Sequence, residues 1–270
     1  MCRWLAYLGP EMFMDELLLQ PSHSLIDQSL DAREIEWPTN GDGFGVGWYG
    51  TRDTPGLFRD VLPIWNDTNL HALAHQIRTS LFFAHVRKAT AGGIQRSNCH
   101  PFRYDHWLFQ HNGSVPGFDR MRQSLYADID ADLFDDLKGS TDSECMFYLA
   151  LTYGLRDDPP TALRRMVERI EHGRAQSDVA EPFHCACAVS DGATIWALRY
   201  VSHGEARTLY YSQHAEALCD FAGCDTLIPN DAVIIASEPL GTMGSAWTRI
   251  EPGSLLTANA TGVHAEPILS

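Results

Sequence analysis

Apolar and polar residues alternate loosely over residues 2–8 and the run stops at Gly9-Pro10, a pattern that predicts a short strand closed by a turn. A Gly-interleaved aromatic run over 44–49 predicts a second strand, with Asp53-Thr54-Pro55-Gly56 turning the chain after it. Leu70, Leu73, Ala74 and Ile77 share one helical face, so 69–79 is expected to be a helix, and the apolar run 81–86 a buried strand. Residues 107–110 read as a further strand, with Asn112-Gly113 as a strong turn signal at its end. Thr141-Asp142-Ser143-Glu144 has capping-box spacing and opens a helix carrying Met146, Phe147 and Leu149 to Leu151. Pro160 suits the first turn of another helix over 160–171, and 174–182 reads as an exposed loop. The pattern then returns to strands at 183–189, 195–201, 208–212 and 232–236, with Ser190-Asp191-Gly192 as a tight turn. Strands, then helices, then strands, without regular alternation, point to an α+β protein with largely antiparallel sheets.

Composition narrows the function classes. At 270 residues, 44% apolar and 20% charged, the chain is expected to form one domain spanning 1–270. Twenty Lys and Arg against 35 Asp and Glu leave a formal charge of -15, which repels phosphate backbones and anionic membrane surfaces. Nucleic acid and membranes are therefore not expected partners. No apolar stretch nears the 18 or so residues of a membrane span, and the N-terminus lacks the basic-then-apolar order of a signal peptide, so the expected compartment is the cytoplasm. Seven cysteines, an odd number spread through a long chain, suit reduced thiols better than a disulfide framework.

Gly45-Val46-Gly47-Trp48-Tyr49-Gly50 matches the dinucleotide pattern, but these glycines interrupt a strand instead of opening a helix, so they read as positions of close packing or backbone approach. His184-Cys185-Ala186-Cys187 with Cys219 and Cys224, or His71 with His75, offer zinc ligands at spacings that fit poorly; buried, inert thiols are the competing reading. Cys2 gains meaning from its company. In order follow Asn40-Gly41-Asp42-Gly43-Phe44-Gly45, Ala84-His85-Val86-Arg87-Lys88-Ala89-Thr90, Asn98-Cys99-His100-Pro101-Phe102, His111-Asn112-Gly113 and Thr141-Asp142-Ser143-Glu144. With these motifs the chain resembles the class II glutamine amidotransferases, the N-terminal nucleophile hydrolases that use cysteine, over about its first 150 residues, and Ala236-Ser237-Glu238-Pro239-Leu240 resembles a later pattern of the small stand-alone members.

The resemblance implies a four-layer αββα sandwich of two mainly antiparallel sheets. It also implies hydrolysis of the glutamine side-chain amide through a γ-glutamyl thioester on Cys2, with ammonia and then glutamate released and no metal or organic cofactor. A thiol near its free pKa of about 8.5 needs a base, and a terminal α-amine with a pKa of about 7.7 to 8.0 can serve once Met1 is removed. In the family pattern the Asn112 amide and the Gly113 N–H form the oxyanion hole; an ordinary hairpin turn is the other reading of the pair. Arg87 suits an α-carboxylate, Thr90 could add a hydroxyl, and Asp142 suits an α-ammonium, although an acid in a helix first turn has a structural use too. Some family members carry His where Ala91 stands here.

No segment after residue 150 resembles a synthetase or phosphoribosyl-transfer domain, so either a separate partner subunit takes the ammonia or the enzyme is a plain hydrolase of a small γ-glutamyl compound. Pro21-Ser22-His23-Ser24-Leu25 is similar to the amidohydrolases of ergothioneine biosynthesis, which makes a γ-glutamyl conjugate the alternative substrate. A non-catalytic γ-glutamyl-binding subunit is the reading from a different class, and self-association into a homo-oligomer stays open.

Overall fold

The computed structural model describes residues 2–33, 39–89, 92–212, 231–241 and 246–269. In chain order the elements are β1 (Arg3–Phe13), α1 (Met14–Leu18), α2 (Leu25–Leu30), β2 (Phe44–Trp48), β3 (Gly56–Asp60), α3 (Thr68–Ala74), β4 (Arg78–Val86), β5 (Phe102–Tyr104) and β6 (Trp107–Ser114). There follow α4 (Phe118–Ala127), α5 (Ala131–Phe134), α6 (Asp142–Thr152), α7 (Pro159–Gln176), β7 (His184–Ser190), β8 (Ile195–Val201), β9 (Tyr210–Ser212), β10 (Val233–Ala236), β11 (Thr248–Arg249), β12 (Ser254–Asn259) and β13 (Gly262–Pro267). One sheet has seven strands in the order β11-β9-β10-β1-β4-β2-β3, the other six in the order β13-β12-β8-β7-β6-β5, and the paired strands run antiparallel. The fold is α+β.

Strand alternation explains the layering. Successive residues of β1 point to opposite faces, so Leu5 and Tyr7 join α1 and Leu70 of α3 in one core while Trp4 and Ala6 face the second sheet. On β6, Leu108 meets Trp4 between the sheets, whereas Phe109 packs under α6 and α7. Three apolar layers result, one under each helical face and one between the sheets, giving the four-layer αββα sandwich. Polar bonds also cross the middle layer, among them Trp4 Nε1 donating to the Ala186 carbonyl at 3.0 Å and Gln110 Nε2 donating to the Leu5 carbonyl at 3.0 Å.

Several sequence expectations need correction. The strand expected over 2–8 continues to Phe13, because Pro10 interrupts the ladder without ending it: the register with β4 shifts between Leu8 and Met12 and then resumes. The helix expected over 69–79 ends at Ala74, since Arg78 and Thr79 pair with Phe13 and Met12, and ladder bonds outweigh helical periodicity there. The helix expected over 160–171 runs to Gln176, so the start of the expected loop at 174–182 is helical; Arg174 is buried and bonded to Glu171 and Ser202. The largest correction concerns Asn112-Gly113. They lie within β6, paired with Ala186 and Cys185 of β7, not in a turn. Half of the capping box is present: Thr141 Oγ1 accepts from the Glu144 N–H, but the Glu144 carboxylate accepts from the N–H groups of Lys138 and Gly139 instead of returning to Thr141.

Trp4→Ala removes the largest side chain of the middle layer and the donor to Ala186. It should lower the unfolding free energy by about 3–5 kcal/mol in denaturant titrations; a change below about 1 kcal/mol would contradict this packing.

Candidate active site

Cys2 precedes the first residue of β1, which runs centrally between β4 and β10, and so lies against the end of β4. Its Sγ accepts from the Lys88 N–H at 3.4 Å and lies 3.5 Å from the Lys88 carbonyl oxygen. Burial pushes the thiol pKa up, against the opposing pull of the Lys88 N–H and the Arg87 charge, so the thiol is not self-activating. Met1, whose removal would free the α-amine, lies outside the described residues, as do Thr90, Ala91, Cys219 and Cys224.

The next residue anchors the strand. Arg3 Nη1 donates to the Cys2 carbonyl at 3.0 Å, and Arg3 Nε donates to Glu238 Oε1 at 2.7 Å. His23 Nε2 and the Arg33 N–H each lie 3.0 Å from Glu238 Oε2. Arg3 and Glu238 are each 1% exposed, so their charges are compensated within the protein and not by solvent. His23 holds a left-handed backbone conformation, φ 52°, that few non-glycine residues adopt.

Arg87 is fixed by the motif at 40–45. Its N–H donates to the Gly43 carbonyl at 2.8 Å, its carbonyl accepts from the Asp42 N–H at 3.0 Å, and Asp42 Oδ2 accepts from the Ala89 N–H at 2.9 Å. Asp142, the first residue of α6, is buried and accepts from the Val115 and Ser143 N–H groups, each at 2.8 Å, which ties the helix start to the end of β6. Cys2, Arg87, Gly113 and Asp142, far apart in sequence, line one small cavity together with Lys88, His100, His111, Thr141 and Ser143. Asn112 is buried and shares with Leu108 and Gln110 the face of β6 that meets the first sheet; the cavity lining does not include it. Gly113 admits no side chain, since a Cβ would come 1.9 Å from the His184 carbonyl and 2.4 Å from His111 Nε2. That close approach is why glycine stands at this ladder position.

Three histidines surround this centre, all buried. His85 Nε2 donates to the His111 carbonyl at 3.2 Å, and burial lowers its pKa to about 3. His111 donates Nε2–H to the His184 carbonyl at 3.3 Å, which leaves Nδ1 to accept from the Ser143 hydroxyl at 2.8 Å. Burial also holds His111 below the usual histidine value, and His100 well below it. Among the described residues no group of three or more His, Cys, Asp or Glu is placed to hold a metal ion; Cys185 and Cys187 are buried under the helices. No described helix is long and apolar enough to cross a membrane.

A family model described as glutamine amidotransferases class-II matches residues 14–267. The chain belongs to the class II glutamine amidotransferases. Over 302 aligned residues it is 35% identical to the probable glutamine amidotransferase DUG3 of Saccharomyces cerevisiae, covering 100% of this chain and 85% of that protein. It is 38% identical over 117 residues to the gamma-glutamyl-hercynylcysteine sulfoxide hydrolase of Mycobacterium tuberculosis, 43% of this chain and 50% of that protein. The solved structure of a glutamine aminotransferase class-II domain protein (SPO2029) from Silicibacter pomeroyi matches with a TM-score of 0.75 at 34% identity, covering 98% of this chain and 97% of that chain.

In this amidotransferase, reading the sequence assigned no role to Arg3, His23 or Glu238. The signal was present in Pro21-Ser22-His23-Ser24-Leu25 and Ala236-Ser237-Glu238-Pro239-Leu240, but only the fold brings them together.

Two outcomes are expected. Glu238→Gln leaves the Arg3 charge buried without its partner, so unfolding free energy should fall by about 3–5 kcal/mol in urea titrations, with alkylation of Cys2 slowed; unchanged stability would show that the ion pair does not anchor β1. Because the folded pKa of His85 is depressed, the unfolded chain binds more protons between about pH 6.5 and pH 3. Stability is then full above pH 6.5 and is lost as pH falls, by about 1.4 kcal/mol per pH unit for each such histidine. Urea titrations at pH 7, 6 and 5 measure this slope, and pH-independent stability would contradict it.

Proposed function

We propose that this class II amidotransferase hydrolyses the side-chain amide of glutamine through a γ-glutamyl thioester on Cys2, releasing ammonia and then glutamate. The observation that carries the reading is the single cavity lined by Cys2, Arg87, Gly113 and Asp142. With Met1 removed, the Cys2 α-amine takes the thiol proton, the base that the raised thiol pKa calls for. The thiolate attacks the amide carbon, and the Asn112 amide and Gly113 N–H receive the charge that develops on oxygen. Arg87 pairs with the substrate α-carboxylate, Thr90 adds a hydroxyl and Asp142 faces the α-ammonium. The α-amine returns the proton to the leaving nitrogen, and water then cleaves the thioester. No metal or organic cofactor takes part, and the reaction belongs in the cytoplasm.

A γ-glutamyl conjugate is the second reading, and the similarity to the mycobacterial hydrolase favours it. The first half of the reaction is the same, with an amine leaving in place of ammonia. Where ammonia is the product, a separate partner subunit is its acceptor or it is released; self-association into a homo-oligomer is compatible with either.

Purified protein that begins at Cys2 should release glutamate from glutamine, and Cys2→Ala or retained Met1 should abolish the release. Arg87→Ala should raise KM by about tenfold to a hundredfold, the loss of a charge-assisted contact of about 1.5–3 kcal/mol. A panel of γ-glutamyl amides, scored for ammonia and amine release, separates the two substrates. Full activity of Cys2→Ala would overturn the mechanism.

A further inference from the structure

Arg207 lies in the connection from β8 to β9, and no step described so far uses it. Its backbone is clamped between the sheets. From β8, Arg199 Nε donates to the Arg207 carbonyl at 2.6 Å and Arg199 Nη2 to the Ala206 carbonyl at 3.2 Å. On the other side, Thr208 Oγ1 donates to the Ser237 carbonyl at 2.8 Å. Ser237 is bonded twice to the backbone of Trp4: its N–H donates to the Trp4 carbonyl at 3.0 Å, and its Oγ accepts from the Trp4 N–H at 3.1 Å. These bonds tie Arg207 to the start of β1, next to Cys2. Leu209 packs in the middle layer and Tyr210 in the core with α1, so alternation puts Arg207 on the middle-layer side, the side shared by Trp4 and, two residues earlier, Cys2.

The Arg207 side chain is half-buried. Its Nε is enclosed, whereas Nη1 and Nη2 keep open surface, and among the described residues the guanidinium makes no hydrogen bond or ion pair. The groups it acts on mark where it lies. Burial, and after it the Arg207 charge, lowers His184 to about 4. In His111, held down mainly by burial, the same charge opposes that of Asp142, and the Arg3 charge adds to burial in lowering Arg207 itself. Arg3 adjoins Cys2, His111 lines the cavity with Cys2, and the His184 carbonyl packs against Gly113. The guanidinium therefore stands beside the cavity.

Strand order sets the side on which it stands. Along the first sheet the order is β9-β10-β1-β4, with Arg87 directly after β4; along the second it is β7-β6-β5, with Gly113 on β6 and His184 at the start of β7. Cys2 and Gly113 thus lie between Arg87 on one flank and Arg207 with His184 on the other. On the proposed reaction the γ-glutamyl carboxylate sits on Arg87 and the carbonyl on Cys2, so the amine half extends toward the second flank. Two strand spacings of about 4.8 Å separate β1 from β9, a span that one or two residues of about 3.4 Å each bridge with the help of the arginine's own length.

We infer that Arg207 is a specificity-determining residue that pairs with a carboxylate on the amine half of a γ-glutamyl amide, which makes γ-glutamyl amino acids and short γ-glutamyl peptides the preferred substrates. The inference rests on the γ-glutamyl-conjugate reading. A guanidinium fork matches a carboxylate, and an open cation beside the cavity of an acidic chain favours an anionic group there. The bond cleaved and the proton path are those already described; Arg207 acts on binding and not on the reacting atoms.

The test measures kcat/KM for two matched pairs on the chain beginning at Cys2: γ-glutamylglycine against γ-glutamylglycinamide, and γ-glutamylglycylglycine against its C-terminal amide. Members of a pair differ only in the terminal carboxylate. The quantity read is the acid-to-amide ratio in each variant relative to wild type, because partial misfolding lowers both members alike and the basicity of the leaving amine cancels. Arg207→Gln should lower the ratio about tenfold for at least one pair, and Arg207→Lys, which keeps the charge, should hold it within about threefold of wild type. Should Arg207→Gln not fold, Arg207→Met supplies the same comparison. A ratio that loss of the charge leaves unchanged in both pairs overturns the assignment. A wild-type chain that releases glutamate from glutamine but from neither pair overturns the conjugate reading and the inference with it, and one that cleaves nothing sinks the hydrolysis reading beneath both.

Discussion

Everything at this site depends on holding still the residue just before a strand, and the interaction that does so is the buried ion pair between Arg3 and Glu238. Here the guanidinium holds the Cys2 carbonyl on one side and a carboxylate from beyond β10 on the other. The carboxylate in turn gathers His23 and the Arg33 backbone from the α2 region. One desolvated charge thus links the Cys2 peptide to two distant stretches of chain. A buried pair of this kind adds little net stability compared with apolar packing, but it is costly to break, which favours a single position of the strand start.

The electrostatic setting follows the same logic. The chain is acidic overall, and the charged residues that line the cavity with Cys2 are Arg87, Lys88 and Asp142. His85, His100 and His111 are kept neutral by burial, each through a different contact: a carbonyl, a stacked ring and a hydroxyl. Neutral rings leave those three charged groups as the main fields in the cavity.

Much of the fold was legible from periodicity. The strands at 44–49, 195–201 and 232–236 and the helix opened by Thr141 show clear alternation or capping chemistry, and they formed within a residue or two of the expected places. The misreadings have one cause. Local signals at Gly9-Pro10, at 75–79 and at Asn112-Gly113 favour a turn or a helix, and partner strands override them with ladder bonds that sequence spacing does not show. Short elements such as α1, β5 and β13 carry too few residues to display any period. The residues brought into the cavity were recognisable as motifs, whereas their mutual placement, and the role of Glu238, exists only after the sheets have packed.

Two of the bonds that cross the middle layer have a wider meaning. Trp4 and Gln110 each lie two residues from a key position, Cys2 and Asn112, and each is tied to the backbone of the opposite sheet. Cys2 and Asn112 therefore ride on different slabs, and their separation is a machined tolerance of the sandwich, not a property of any loop. Such a layout decouples the reaction from the choice of substrate. On the proposed reaction, side chains at the rim of the cavity can be exchanged to admit a larger leaving group while the spacing between the sheets stays as it is, so one scaffold can acquire new specificities without relearning its chemistry.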